Sequence, residues 1–182
     1  MLPSVVEKDY VLGWILAGIN AHEELSDSWV FKGGTCLKKC YFETYRLSED
    51  LDFTLHDESQ LDEGFLRPAL DAVAAWVMEQ SGLAMPAEQI VFDIYTNARG
   101  RRSCQGKIAY RGPISPTSGG WPKIKLDLTA DEKLVLPSVQ REIFHPYSDR
   151  PEDGFQANCY AYDEAFAEKI RALGERTRPR DL

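Results

Sequence analysis

The chain has 182 residues, 43% hydrophobic and 27% charged, which is enough apolar side chain to bury one full core in a single domain. Its formal net charge of −8 excludes a protein that coats nucleic acid by bulk electrostatics and leaves only local basic surfaces for that purpose. No apolar run approaches the roughly 20 residues of a membrane span, no leader-like segment follows Met1, and the four cysteines show neither CxxC pairing nor the density of a secreted scaffold, so a cytoplasmic protein with reduced thiols is expected.

From Val5 to about Leu25 the residues Val6, Tyr10, Leu12, Trp14, Ile15, Leu16 and Ile19 recur at helical spacing and predict an opening helix. Trp29-Val30-Phe31 is a short apolar strand that stops at Gly33-Gly34. Thr35 then opens a helix in which Leu37, Tyr41 and Tyr45 return every fourth residue, with Cys36 and Cys40 read as packing residues on it. Leu51, Phe53 and Leu55 alternate with Asp50, Asp52 and Thr54, the period of a half-buried strand, so Asp50 and Asp52 share its polar face.

Leu61 to Gln80 predicts a long amphipathic helix ending before Gly82. Ile90–Tyr95 and Gly106–Tyr110 bracket Asn97–Gly100 as a hairpin, and a loop rich in Pro, Ser and Gly runs from Gly112 to Gly120. Trp121–Thr129 is another strand, with Lys123, Lys125, Asp127 and Thr129 on one side of Ile124, Leu126 and Leu128. Last, Asp163 can cap a helix whose buried stripe is Phe166, Ile170 and Leu173, with Glu164, Glu168 and Lys169 nearer its polar side, and Pro179 lies beyond it. The expected class is α+β, a mixed twisted sheet flanked by helices.

Two carboxylates on one strand face repel unless a cation lies between them, and Mg²⁺ or Mn²⁺ takes such oxygen ligands together with substrate phosphates. Read alone, Asp50-x-Asp52 is more often a solvated strand face. Gly33 and Gly34 shift the balance, because they let backbone approach a phosphate while Thr35 stands in the first turn of a helix with unpaired N–H donors. Asp127 on a separate strand offers a third ligand.

The stretch FKGGTCLKKCYFETYRLSEDLDF resembles the nucleotidyltransferase toxins of the AbiEii/AbiGii family, which belong to the superfamily that includes DNA polymerase β. EKDYVLGWIL, KIKLDLT, AEKIRAL and RPRDL extend the resemblance over nearly the whole chain. It implies the polymerase β-like fold. It also implies that Asp50 and Asp52 are the metal-binding pair, that Asp127 with Lys125 is the second motif, that Lys169 is the lysine of the third and that Asp181 closes the fourth. Asp127 would take a proton or complete a second metal site, and Lys169 or Lys125 would meet the leaving pyrophosphate. The family is expected to move an NMP from an NTP to an acceptor, with tRNA 3′ ends among the acceptors, and to pair with a separately encoded antitoxin in toxin–antitoxin or phage-defence systems. A protein acceptor, or an inactive NTP-binding or partner-binding module, keeps the same fold. The resemblance leads one to expect the chain to run on from Arg180-Asp181-Leu182 into a helical subdomain, so residues 1–182 read as the nucleotidyltransferase domain of a short or truncated member.

Other candidates are weaker. Arg46 pairs with the acidic strand, with phosphates or with Glu49. The clusters Arg99, Arg101, Arg102, Lys107, Arg111 and Lys169, Arg171, Arg176, Arg178, Arg180 are either solvated faces or local surfaces for RNA. His22, His56 and His145 have no metal-ligand spacing, and Trp14, Trp29, Trp76 and Trp121 read as core.

Overall fold

The computed structural model describes residues 2–42, 48–114, 119–151 and 154–175. Helix α1 (Pro3–Ala21) is buried on all sides from Val11 to Ile19. The opening helix ends earlier than its spacing predicts, because His22 turns extended and its Nδ1 accepts from Glu24 N–H, capping a separate short helix α2 (Glu23–Ser28). Strand β1 (Trp29–Lys32) follows, then α3 (Gly33–Cys36), which widens into a π turn over Leu37–Tyr41. The predicted helix therefore stops at Tyr41, where Phe42 turns extended, and Tyr45 lies outside the described residues.

Strand β2 (Asp50–Leu55) buries Leu51, Phe53 and Leu55, as the alternation requires. Helix α4 (Glu63–Ser81) is capped by Asp62 at its start and by left-handed Gly82 (φ 74°) at its end. Strands β3 (Ile90–Thr96) and β4 (Arg102–Ala109) form the expected hairpin, and β5 (Lys123–Thr129) begins two residues later than predicted. Two strands are new: β6 (Val139–Ile143) and β7 (Phe155–Cys159). Helix α5 (Tyr162–Glu175) ends the described chain.

The strands make one mixed sheet in the order β3-β4-β5-β2-β1-β7-β6. β2 runs parallel to β5 and β1 parallel to β7, while the other neighbours are antiparallel. The main core joins α1 and α4 to the apolar sheet face through Trp14, Ile15, Phe31, Leu51, Phe53, Leu126 and Leu128. A smaller cluster of Val30, Leu37, Tyr160 and Ala165 connects β1 to α5. The stripe predicted for α5 is corrected here: Phe166 and Ile170 are exposed and Ala165 is the buried residue, while the side chain of Leu173 lies outside the description. Trp14 and Trp29 are core, Trp76 is half-buried against it, and Trp121 stays at the surface edge under the Arg111 guanidinium, 4.5 Å from its ring.

Candidate active site

Strand register places the chemistry-bearing residues. Residues paired across a ladder point to the same side, so the polar sheet face reads as rungs. One rung is Lys107, Lys125 and Asp50 across β4, β5 and β2. The next is Gln105, Asp127, Asp52 and Lys32, reaching β1. The third is Ser103, Thr129, Thr54 and Val30. Asp50, Asp52, Asp127 and Lys125 thus share one face, with Lys125 Nζ 4.0 Å from Asp50 Oδ1. The three carboxylates do not bring an oxygen each within 4.8 Å of one another.

The glycine turn touches this face directly. Gly33 has φ 79°, and a Cβ there would run into Asp52 Oδ2. A Cβ at Gly34 would come within 3.0 Å of Ser48 Oγ. Thr35 is fully buried, and its hydroxyl lies 2.7 Å from Ser48 Oγ and donates to the Asp50 carbonyl at 2.6 Å, so the first helical turn is tied to the start of β2. Backbone, and not side chain, therefore faces the carboxylates where β1 becomes helix.

Two charged residues that the sequence reading missed complete the surroundings. Lys32 stands opposite Asp52 and pairs with Glu132, also donating to Thr129 Oγ1 at 3.0 Å. Glu132 Oε2 further accepts from Tyr160 and Thr54, each at 3.2 Å. Lys32 immediately precedes Gly33 and ends a strand on its polar side, a signal that was available. Glu132 sits in the irregular loop after β5, where no periodicity marks it.

The electrostatics follow from burial and like charge. Burial pushes the Asp52 carboxyl up, Asp127 adds to it, and against the pull of Lys32 its pKa reaches about 6. Asp127 is raised by burial and then by Asp50. Glu132 goes the other way: burial opposes it, but the charge and hydrogen bond of Lys32, with those from Thr54 and Tyr160, lower its pKa. The face therefore holds more acid than its lysines neutralise, concentrated at Asp52 and Asp127.

Lys169 is half-buried on α5, a helix that packs against α3 and the π turn, and it forms no hydrogen bond or ion pair with the described carboxylates. Arg46, Arg176, Arg178, Arg180 and Asp181 lie outside the described residues. Glu49 pairs with Lys8 at 2.5 Å. In the central basic cluster Arg99 meets Asp131 at 3.6 Å and Arg101 meets Glu58 at 3.5 Å, so part of it is spent on internal pairs. His22 and His56 take no place in this site, and His145 is buried elsewhere among Tyr10, Trp14, Tyr147 and Phe155. No helix among the described residues is long and apolar enough to cross a membrane.

Compared with known proteins, residues 14–182 match the family described as nucleotidyl transferase AbiEii toxin, type IV toxin–antitoxin system. No curated protein and no solved structure matches the chain. Since the match covers nearly the whole sequence, from within α1 to Leu182, the chain belongs to the AbiEii nucleotidyl transferase toxin family.

Proposed function

We propose that this protein is a divalent-cation-dependent nucleotidyltransferase that moves an NMP from an NTP to an RNA acceptor, the 3′ end of tRNA, and acts as a toxin held in check by a separate antitoxin protein. The observation that carries the reading is the middle rung, where Asp127 and Asp52 face each other beside the Gly33 turn. The donor set is chemically suited to a hard cation: carboxylate oxygens only, in excess over Lys32 and Lys125, with the Asp52 pKa raised by burial and then by Asp127. Asp50, Asp52 and Asp127 would hold Mg²⁺ or Mn²⁺, which when bound would neutralise the triphosphate and the charge growing on the transferred group.

The chain's own residues supply the rest. The backbone of Gly33, Gly34 and Thr35 cradles phosphate oxygens, and the Thr35 hydroxyl keeps that turn fixed on β2. Lys169 or Lys125 balances charge on the leaving pyrophosphate. The acceptor hydroxyl oxygen bonds to the α-phosphorus, the bond from that phosphorus to the pyrophosphate bridging oxygen breaks, and the hydroxyl proton passes to the Asp127 carboxylate.

The test is incubation with each α-phosphate-labelled NTP, Mg²⁺ and a tRNA pool. RNase-sensitive label that disappears in Asp52→Asn is the expected result. Protease-sensitive label would move the acceptor to a protein, and the absence of label with every NTP would leave a nucleotide-binding or partner-binding module.

A further inference from the structure

Away from the carboxylates, three cysteines converge. Cys36 lies in α3, Cys40 one turn on within the π turn, and Cys159 at the end of β7, where it pairs with Phe31 of β1 and Val139 of β6. All three are buried and none is in a disulfide. Their Sγ atoms all lie within 4.8 Å of one another. Three sulfurs each about 2.3 Å from one ion sit roughly 3.8–4.0 Å apart, so closing on an ion requires movements below about an ångström. Packing alone asks only for small apolar volume at these positions and gives no reason for three thiols to meet at one point.

The surroundings are those of a soft-metal site. Among the described residues no His, Asp or Glu joins the group, which leaves thiolate sulfur as the donor. The Tyr41 hydroxyl stands 3.8 Å from Cys159 Sγ and is oriented by its bond to the Tyr160 carbonyl at 2.7 Å. The Arg141 guanidinium lies 4.8 Å from the centre of the Tyr41 ring and donates to the Cys40 carbonyl, placing positive charge where thiolates would gather. A cavity of about 390 Å³, lined by Lys38, Cys40, Tyr41 and Arg141, reaches the cluster's edge at Cys40. The π turn is the local distortion that sets Cys40 in this position, and such turns recur at functional sites.

We infer that Cys36, Cys40 and Cys159 form a site for one thiophilic d¹⁰ metal ion, Zn(II) or Cu(I), that joins the helix behind the glycine turn to β7. Hard and soft donors are thereby segregated: carboxylates on the sheet face, thiols behind the helix. The inference stands independently of nucleotidyl transfer. An ion bound here ties α3 to the sheet and raises the melting temperature of the loaded protein, since it binds the folded state and not the separated thiols of the unfolded chain with comparable strength.

The experiment titrates reduced, anaerobic full-length protein with Zn(II) against a chromogenic chelator and, in a second arm, with Cu(I) against a cuprous chelator. One equivalent is expected to bind in at least one arm, with X-ray absorption showing three sulfur scatterers at about 2.3 Å and a higher melting temperature. Cys104→Ser, at a buried thiol outside the cluster, should bind as the parent does, while Cys159→Ser loses the equivalent. Because Cys159→Ser can disturb the core, the sulfur count on the unaltered protein decides independently. Fewer than three sulfurs, loss of binding in Cys104→Ser, or failure to compete with the chelator in both arms overturns the site.

Discussion

Asp52 and Asp127 stand directly opposite each other on neighbouring parallel strands, and Lys32 flanks Asp52 on its other side. Parallel neighbours are about 4.8 Å apart, so their side chains cannot avoid one another's field. Lys32 is committed to Glu132, which leaves the Asp52–Asp127 pair only partly neutralised by the protein.

The first prediction follows from the burial of Asp52 and, after it, from that pairing. Asp52 has its folded pKa raised from the ordinary 3.8 to about 6, so the folded state holds a proton that the unfolded state releases between those values. Stability in chelator should therefore fall as pH rises from about 4 to about 6 and stay lower above it, by about 1–3 kcal/mol. Asp52→Asn should abolish transfer yet melt higher than the parent at pH near neutral, with the gap closing in acid. Melting curves across pH in chelator, beside the labelling assay, check both halves. A variant that melts lower at neutral pH would show that Asp52 does not carry this cost.

Gly33→Ala tests the turn. It places a Cβ in a left-handed backbone, at about 1–2 kcal/mol, and drives it against Asp52 Oδ2. Lost stability of about 2–4 kcal/mol in urea is expected, with transfer gone even where the protein remains folded. Gly82→Ala is the control: it has φ 74° but meets nothing within 4 Å, so it should cost only the backbone term and leave transfer intact.

The alternation from Asp50 to Leu55 and from Lys123 to Thr129 was legible because one face of each strand is core, and period two then fixes which side every acid takes. That β2 and β5 are adjacent, parallel and registered with Asp52 on Asp127 was not legible, since register is a long-range property. β6 escaped notice because Val-Gln-Arg-Glu-Ile is exposed along most of its length, and β7 because Phe-Gln-Ala-Asn-Cys is poor in β-branched residues. Lys39 shows the limit of pattern reading within a helix. It is fully buried, held by Asp9 Oδ2 at 2.8 Å and by the Asp9 and Phe144 carbonyls, yet nothing in Lys38-Lys39 distinguishes it from its neighbour. On α5 the amphipathic period is real, but a period identifies an apolar face without specifying what covers it.

Lys32 and Glu132 predict asymmetric damage. Lys32→Met leaves Glu132 beside Asp52 with no cation, whereas Glu132→Gln keeps a hydrogen-bonding group for Tyr160 and Thr54. Lys32→Met should cost about 2–3 kcal/mol and Glu132→Gln about 1, with the double variant less damaged than the sum. Urea unfolding of the four proteins measures the coupling. Additive losses would show that the pair acts as two separate residues.

His145 predicts the response to acid. The ring is buried, neither nitrogen has a hydrogen-bond partner, and the Asp149 carboxylate is 3.9 Å from Nε2. Burial and the Lys39 charge, against Asp149 and Asp9 and with Arg150 adding to the repulsion, lower its pKa from 6.5 to about 4; Tyr10 and Tyr147 pack on the ring as neutral phenols. The unfolded chain takes up a proton below about 6.5 that the folded ring refuses until about 4, so stability falls as pH drops through that window, by up to about 3 kcal/mol. His145→Gln should be less stable than the parent at pH 7, having lost the aromatic packing, but should lose less on going to pH 5. Denaturant midpoints at the two pH values decide it, and parallel losses in both proteins would remove His145 from the acid response.

Lys169 and Lys125 compete for one role, and the fold makes them separable. Lys125 is exposed on the sheet face, 4.0 Å from Asp50, so its charge already belongs to the carboxylate field. Lys169 is half-buried on α5, where Phe166 and Ile170 are exposed and add little to packing, and it has no acid of the site to satisfy. Neither side chain supports the core, so Lys169→Ala and Lys125→Ala should each change stability by less than about 0.5 kcal/mol. Removing Lys169 should weaken NTP binding in the presence of Mg²⁺, and the weakening should shrink as salt rises, because an ammonium meeting a triphosphate is a screened interaction. Removing Lys125 should weaken it less, since the loss of attraction to phosphate is partly offset by freeing Asp50 for the cation. Isothermal titration of NTP into the three proteins at two salt concentrations measures both effects. Unchanged affinity in Lys169→Ala with a clear loss in Lys125→Ala would assign the triphosphate to the sheet face and leave α5 without a part in it.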